Sequence, residues 1–93
     1  MAQAIITLKI MPESPDVDLD ALQLAAEAKI NAFVGEDGEK RFSVEPIAFG
    51  LKALNIIFVM EEKQGSTEPL ENALASIDGV NSVEVTDVRR AIG

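Results

Sequence analysis

The sequence predicts an α+β fold in which four strands form one antiparallel sheet and two helices pack on a single face of it. Three observations lead there. Four short segments carry apolar residues at every second position, two longer ones carry them at three- and four-residue intervals, and the order is strand, helix, strand, strand, helix, strand. Two interleaved strand-helix-strand units, each with one apolar face to cover, close into the split βαβ, or ferredoxin-like, arrangement.

The first strand is read in "AIITLKI", where Ile6, Leu8 and Ile10 share one face and Thr7 and Lys9 the other. The two prolines of "MPESPDV" end it. A helix follows, with Asp16 or Asp18 as its N-cap and a buried stripe of Leu19, Leu22, Ala26, Ile30 and Phe33. After the loop "VGEDGEK", Phe42 and Val44 alternate with Ser43 and Glu45 as a second strand, which Pro46 is expected to stop.

The third strand runs from Leu51 to about Glu61, with Leu54, Ile56, Phe58 and Met60 on one face and Ala53, Asn55, Ile57 and Val59 on the other. Apolar on both sides, it is expected in the middle of the sheet. "QGSTEPLENALASIDG" reads as the second helix, with Ser66 or Thr67 as N-cap, an acid and Pro69 in the first turn, and Gly79 as the stop. Its buried stripe is Leu70, Ala73 or Leu74, and Ile77. "VNSVEVTDV" gives the fourth strand, Val83 and Val85 inward, Glu84 and Thr86 outward. Thr7, Lys9, Ser43, Glu45, Asn55, Glu84 and Thr86 then collect on the helix-free face, which is expected to be solvated.

A chain of 93 residues, 47% of them hydrophobic, suits one core and one domain over residues 1–93, with no internal repeat and no linker. No apolar run approaches the length of a bilayer span, and "MAQAIITLKIMPESPD" lacks the marks of a signal peptide, so a soluble cytoplasmic protein is expected. The chain has no Cys and no His, which removes disulfides, thiolate chemistry and imidazole chemistry together. With 16 acidic against 8 basic residues the formal net charge is −8, which argues against direct contact with a nucleic-acid backbone.

Candidate chemistries are tested by the residues they need. Asp16, Asp18, Asp20 and Glu27 match the acidic spacing of a calcium loop, but Ala21 stands where that loop needs Gly, and helical periodicity already begins at Leu19. The acids are better read as helix N-terminal charges. Phosphate hydrolysis on this fold needs an Arg after the first strand and copper transfer needs paired Cys; "MPESPDVD" holds neither. Asn55 reads as an exposed strand residue, and Glu61, Glu62 and Lys63 as a solvated turn. No catalytic residue, metal site or cofactor is expected.

Two features remain. Phe49 stands in "PIAFGLKAL" between small residues, where the chain is turning and Gly50 tolerates positive φ; Lys52 follows close behind. Arg89 and Arg90, placed beyond the last strand, are two adjacent guanidinium groups on an acidic chain, able to engage acids of a partner or to pair with Glu84 and Asp87.

"MPESPDVDL", "PIAFGLKALNI", "GSTEPLENALASIDGV" and "VEVTDVRRAIG" together resemble the guanine nucleotide exchange domain family of translation elongation factor one, in its archaeal beta subunit form, from about Ala4 to Ile92. The resemblance implies nucleotide exchange on the alpha subunit, the GTPase that delivers aminoacyl-tRNA, in its nucleotide-free or GDP-bound form; from its strands and capped helices the domain is expected to be a monomer when free. The resemblance implies no bond chemistry, no cofactor, and contact with neither nucleic acid nor membrane. In eukaryotic relatives an aromatic residue is inserted into the GTPase and a basic residue near the C-terminus disturbs its magnesium site. The aromatic corresponds to Phe49, with Gly50 and Lys52 beside it, and the basic residue to Arg90, with Arg89 its neighbour. Arg replaces the eukaryotic Lys, so charge is kept and geometry is not. The competing expectation is a regulatory module of the same fold, binding a small ligand at a strand edge or dimer interface.

Overall fold

The computed structural model describes residues 3–35, 39–61 and 65–91. Its elements are β1 (Gln3–Pro12), α1 (Leu19–Val34), β2 (Lys40–Ala48), β3 (Leu51–Glu61), α2 (Glu68–Ala75) and β4 (Val80–Ala91). The strands form one antiparallel sheet in the order β2-β3-β1-β4. β3 is therefore central, as its two apolar faces require.

The core is one layer between sheet and helices. Ile6, Leu8 and Ile10 of β1 and Leu54, Ile56, Phe58 and Met60 of β3 meet Leu22, Ala26 and Ile30 of α1 and Leu70 and Leu74 of α2. Each large side chain buried there contributes roughly 1.5–3 kcal/mol. Both helices feed this one cluster, so both lie on the same face. Leu19 and Phe33 complete the α1 stripe at its ends, half-buried.

Of the two acids offered as the α1 N-cap, Asp18 does the work. One of its carboxylate oxygens accepts from the N–H groups of Asp20 and Ala21 at 3.0 and 3.3 Å. At α2 the cap position is Thr67, whose side chain makes no capping bond and instead donates to Glu71 at 2.7 Å. Ser66 supplies the local acceptor, taking the Glu68 N–H at 3.0 Å.

Three boundaries differ from the sequence expectation. Pro46 does not stop β2; it pairs with Lys52, and the strand continues to Ala48 past a bulge at Ile47. β2 lies at a sheet edge, where a residue lacking an N–H is tolerated on the unpaired side. Gly79 does not end α2, which stops at Ala75 with Ser76 as C-cap; Gly79, at φ 92°, lies in the turn before β4. The last strand does not end before the arginines: Arg89 and Arg90 lie inside β4, paired with Ile5 and Ala4.

The helix-free face is more mixed than expected. Lys9, Glu45 and Asn55 form its polar part: Asn55 donates to Glu45 at 3.0 Å, and Lys9 lies 3.8 Å from the same carboxylate. Ala53 on this face is fully buried, and Ile5 and Val59 are half-buried beside exposed Ile57. Of the expected loop "VGEDGEK", Glu36 to Gly38 fall outside the described residues, as do Glu62, Lys63 and Gln64.

Candidate functional site

The chain between β2 and β3 turns in two residues, Phe49 and Gly50, with Ala48 and Leu51 paired across the turn. Both turn residues have positive φ, 54° and 81°. That pair of angles marks the type I′ turn, whose twist matches the strands it joins. Gly50 suits it. Phe49 is the one described residue other than glycine at positive φ, and its ring is 97% exposed.

The hairpin tip itself is apolar and carries no acid of its own; the carboxylates at this end belong to the neighbouring loop after β1, at Glu13, Asp16 and Asp18. From Pro46 to Met60 the sequence holds no acid, and Lys52 is its one ionisable residue. Exposed Ile47 and Val44 extend the apolar surface along β2. On a chain of net charge −8, this end offers a partner a ring, aliphatic flanks and an exposed ammonium group. Such a tip can enter an apolar pocket without carrying a carboxylate out of water.

The loop after β1 lies against the tip. A β-carbon built on Gly50 would sit 3.7 and 3.8 Å from Cβ and Cγ of Pro15, an ordinary van der Waals approach. Behind this contact Pro12, Ser14, Val17, Asp18, Leu19 and Lys52 surround an open cavity of about 330 Å³. The sequence placed the prolines of "MPESP" as strand breakers and missed the approach to Gly50. A proline facing a turn glycine across the fold leaves no local signal.

Arg89 and Arg90 are at the far end. Arg90 pairs with Ala4, and Ala4 with Met60, whereas Phe49 adjoins Leu51 at the start of β3. At about 3.3 Å per residue, Leu51 to Met60 spans roughly 30 Å, most of the 42 Å long axis. The structure thus gathers Phe49, Gly50 and Lys52 at one end and the two arginines at the other.

The arginines also part company from each other. Successive strand residues point to opposite faces, and a register shift between Thr7 and Leu8, with Thr86 as the extra residue, resets β4 before it reaches them. Arg89, opposite Ile5, lies on the helix-free face, where its Nε donates to Asp87 at 2.8 Å. Arg90, opposite Ala4, lies on the helix side, bordering a groove with Ile6, Met60, Ser66, Thr67 and Val88. One of the two acids offered as Arg89 partners is therefore engaged, and Glu84 is not the one.

Among the described residues no cluster of acids could hold a metal ion, and no helix is long and apolar enough to cross a membrane.

Two solved structures share the architecture. A de novo designed protein, Foldit4, superposes with TM-score 0.65 at 11% identity over 98% of both chains. The BlrP1 BLUF protein gives TM-score 0.57 at 16% identity, over the whole of this chain and 57% of its own. These likenesses concern the fold alone. Sequence relatives say more. Elongation factor 1-beta of Methanobrevibacter smithii is 52% identical over 90 residues, covering 97% of this chain and 98% of that protein. The proteins of the same name from Methanothermobacter thermautotrophicus and Staphylothermus marinus are each 46% identical over 92 residues, with 97% and 98% covered. The EF-1 guanine nucleotide exchange domain model matches residues 5–91. The chain belongs to the EF-1 guanine nucleotide exchange domain family.

Proposed function

We propose that this chain, as a single exchange domain, promotes GDP release and GTP exchange on the alpha subunit GTPase of translation elongation factor one, with Phe49 as its principal contact. The observation that carries the reading is Phe49 itself: a large ring, 97% exposed, in a backbone conformation that L side chains avoid. Neither burial nor local preference accounts for a Phe there. Insertion into a partner does, since a rigid aromatic at the centre of an interface can supply 2 kcal/mol or more of binding.

Exchange follows from linkage. A protein that loosens GDP by binding the GTPase must itself be loosened by GDP to the same factor. The inserted ring needs only to fit the nucleotide-free form better than the GDP-bound form. No bond is made or broken, and the domain is no enzyme in that sense. Gly50 allows the turn, and Lys52 adds a cation where the partner surface is acidic.

Arg90 supplies the cationic contact, competing for acids that serve the magnesium ion, with Arg89, its sequence neighbour on the opposite face, in an assisting role. Because the two contacts lie roughly 30 Å apart along β3, the GTPase must meet the long axis of the domain rather than its tip alone. The factor works in the cytoplasm, as a monomer when free, without touching nucleic acid.

The test is release of a fluorescent GDP from purified alpha subunit. Release should accelerate with the concentration of this protein. An unchanged rate at saturating protein would refute the assignment.

A further inference from the structure

We propose that Pro15 is the positioning residue for Phe49, acting as a strut that holds the β2–β3 tip in its binding conformation. The inference rests on the exchange reading given above and deepens it.

The tip lacks support from the sheet. The pairing of β1 with β3 ends at Ile10 and Leu54, so Leu51, Lys52 and Ala53 pair with β2 alone. β2 is an edge strand, bulged at Ile47 and carrying Pro46 within it. An isolated two-stranded ribbon is marginal in water, and this one must also keep a Phe at positive φ. With its ring 97% exposed, Phe49 draws little holding contact from its own side chain. Whatever fixes its direction acts through the turn backbone.

Pro15 is placed to do so. Its Cβ and Cγ stand where a β-carbon on Gly50 would be in van der Waals contact, at 3.7 and 3.8 Å. The open cavity of about 330 Å³ between the loop and the hairpin base would otherwise leave the tip room to swing inward. Pro15 limits that swing only if its own loop is firm. It is anchored at both ends: the Glu13 N–H donates to the Gly79 carbonyl at 2.9 Å, and the Val17 N–H to the Ser14 carbonyl at 3.3 Å. The Ser14 hydroxyl accepts from the Asp16 N–H at 3.3 Å. On the far side Val17 packs so closely on Gly79 that a β-carbon there would come within 3.2 Å of Cγ1. The bracing runs from the α2–β4 turn at Gly79, against which Val17 packs, along the hydrogen-bonded loop to Pro15, which stands opposite Gly50. A fixed φ makes proline the stiffest residue available for the last link.

The consequence is preorganisation. If loss of the strut leaves the tip in its competent conformation about a fifth of the time, apparent affinity falls about fivefold with no contact to the partner removed.

Three variants and two measurements test this. Pro15→Gly removes the strut, Pro15→Val restores aliphatic bulk opposite Gly50, and Pro15→Gly combined with Phe49→Ala asks whether the effect runs through the ring. In the protein alone, backbone order parameters at Phe49 and Gly50 should fall in Pro15→Gly toward about 0.6 and recover in Pro15→Val. With the GTPase, Pro15→Gly should weaken exchange about fivefold, Pro15→Val should restore most of it, and in the Phe49→Ala background Pro15→Gly should cost nothing further. Unchanged order parameters in Pro15→Gly overturn the strut. An equal loss in the Phe49→Ala background also overturns it, by showing that Pro15 touches the partner directly. If the unaltered protein fails to accelerate GDP release, the exchange reading falls, and the order parameters still decide whether Pro15 positions the tip.

Discussion

Phe49 and Gly50 follow one another at φ 54° and 81°, so the shortest connection in the sheet places a bulky aromatic where asparagine or glycine is the favoured residue. In the left-handed region an L side chain brings its β-carbon against the following carbonyl, at a cost of about 1–2 kcal/mol. The ring recovers little of that by burial, being 97% exposed. Strain of this kind persists where surrounding structure over-determines it and is concentrated at functional sites.

Phe49→Asn should therefore stabilise the isolated protein while weakening exchange. A gain of about 1 kcal/mol corresponds to a rise of roughly 4–8 °C in Tm for a domain of this size. Thermal unfolding followed by circular dichroism measures the gain, and GDP release measures the loss.

Two phenylalanines of one hairpin should behave oppositely. Phe58 is fully buried in the cluster beneath α1 and α2, and Phe58→Ala should cost about 3–5 kcal/mol. Phe49→Ala should stay within about 0.5 kcal/mol of the parent. Urea unfolding of both variants decides the matter; a loss near 3 kcal/mol for Phe49→Ala would place its ring in a core.

The fold was legible because period does most of the work. Ile6, Leu8 and Ile10 alternate, Leu22, Ala26 and Ile30 recur every four residues, and β3 reads apolar on both faces, so layer and centre follow from burial alone. What the sequence hid depends on neighbours. Pro46 reads as a terminator until its strand is seen at the sheet edge. Gly79 reads as a helix stop, although its positive φ serves the following turn and its hydrogen gives room to Val17.

The site divides in the same way. Phe49 could be singled out from Ala-Phe-Gly, but the approach of Pro15 to Gly50 joins residues with no common pattern. The faces of Arg89 and Arg90 are set by a bulge at Thr86, and an extra residue leaves alternation intact to the eye while inverting every side chain after it.

The capping difference between the helices is measurable. Asp18 takes two backbone N–H groups with its carboxylate, whereas Thr67 caps none. Asp18→Ala should cost about 1 kcal/mol, within the range of such losses. Thermal unfolding should show Thr67→Ala costing less, the removed bond to Glu71 being a side-chain pair on one turn of helix.

The cationic contact separates the arginines. Arg90→Ala should slow exchange at ordinary magnesium, and its deficit should shrink when the metal is chelated. Arg89→Ala should matter less, since that guanidinium lies on the other face of the sheet. Because Phe49 and Arg90 lie roughly 30 Å apart along the sheet, the free-energy losses of Phe49→Ala and Arg90→Ala should add within about 0.5 kcal/mol. GDP-release rates of the single and double variants, with and without chelator, test both statements.

The most direct test sets the parent protein beside Phe49→Ala in one GDP-release experiment on the alpha subunit GTPase, with both proteins shown to be folded. The account predicts concentration-dependent acceleration by the parent and a loss of more than about tenfold in Phe49→Ala, as for an aromatic anchor at an interface centre. Equal acceleration by the two would contradict the role of Phe49. Acceleration by neither would contradict exchange itself and leave the regulatory ligand-binding module as the reading to pursue.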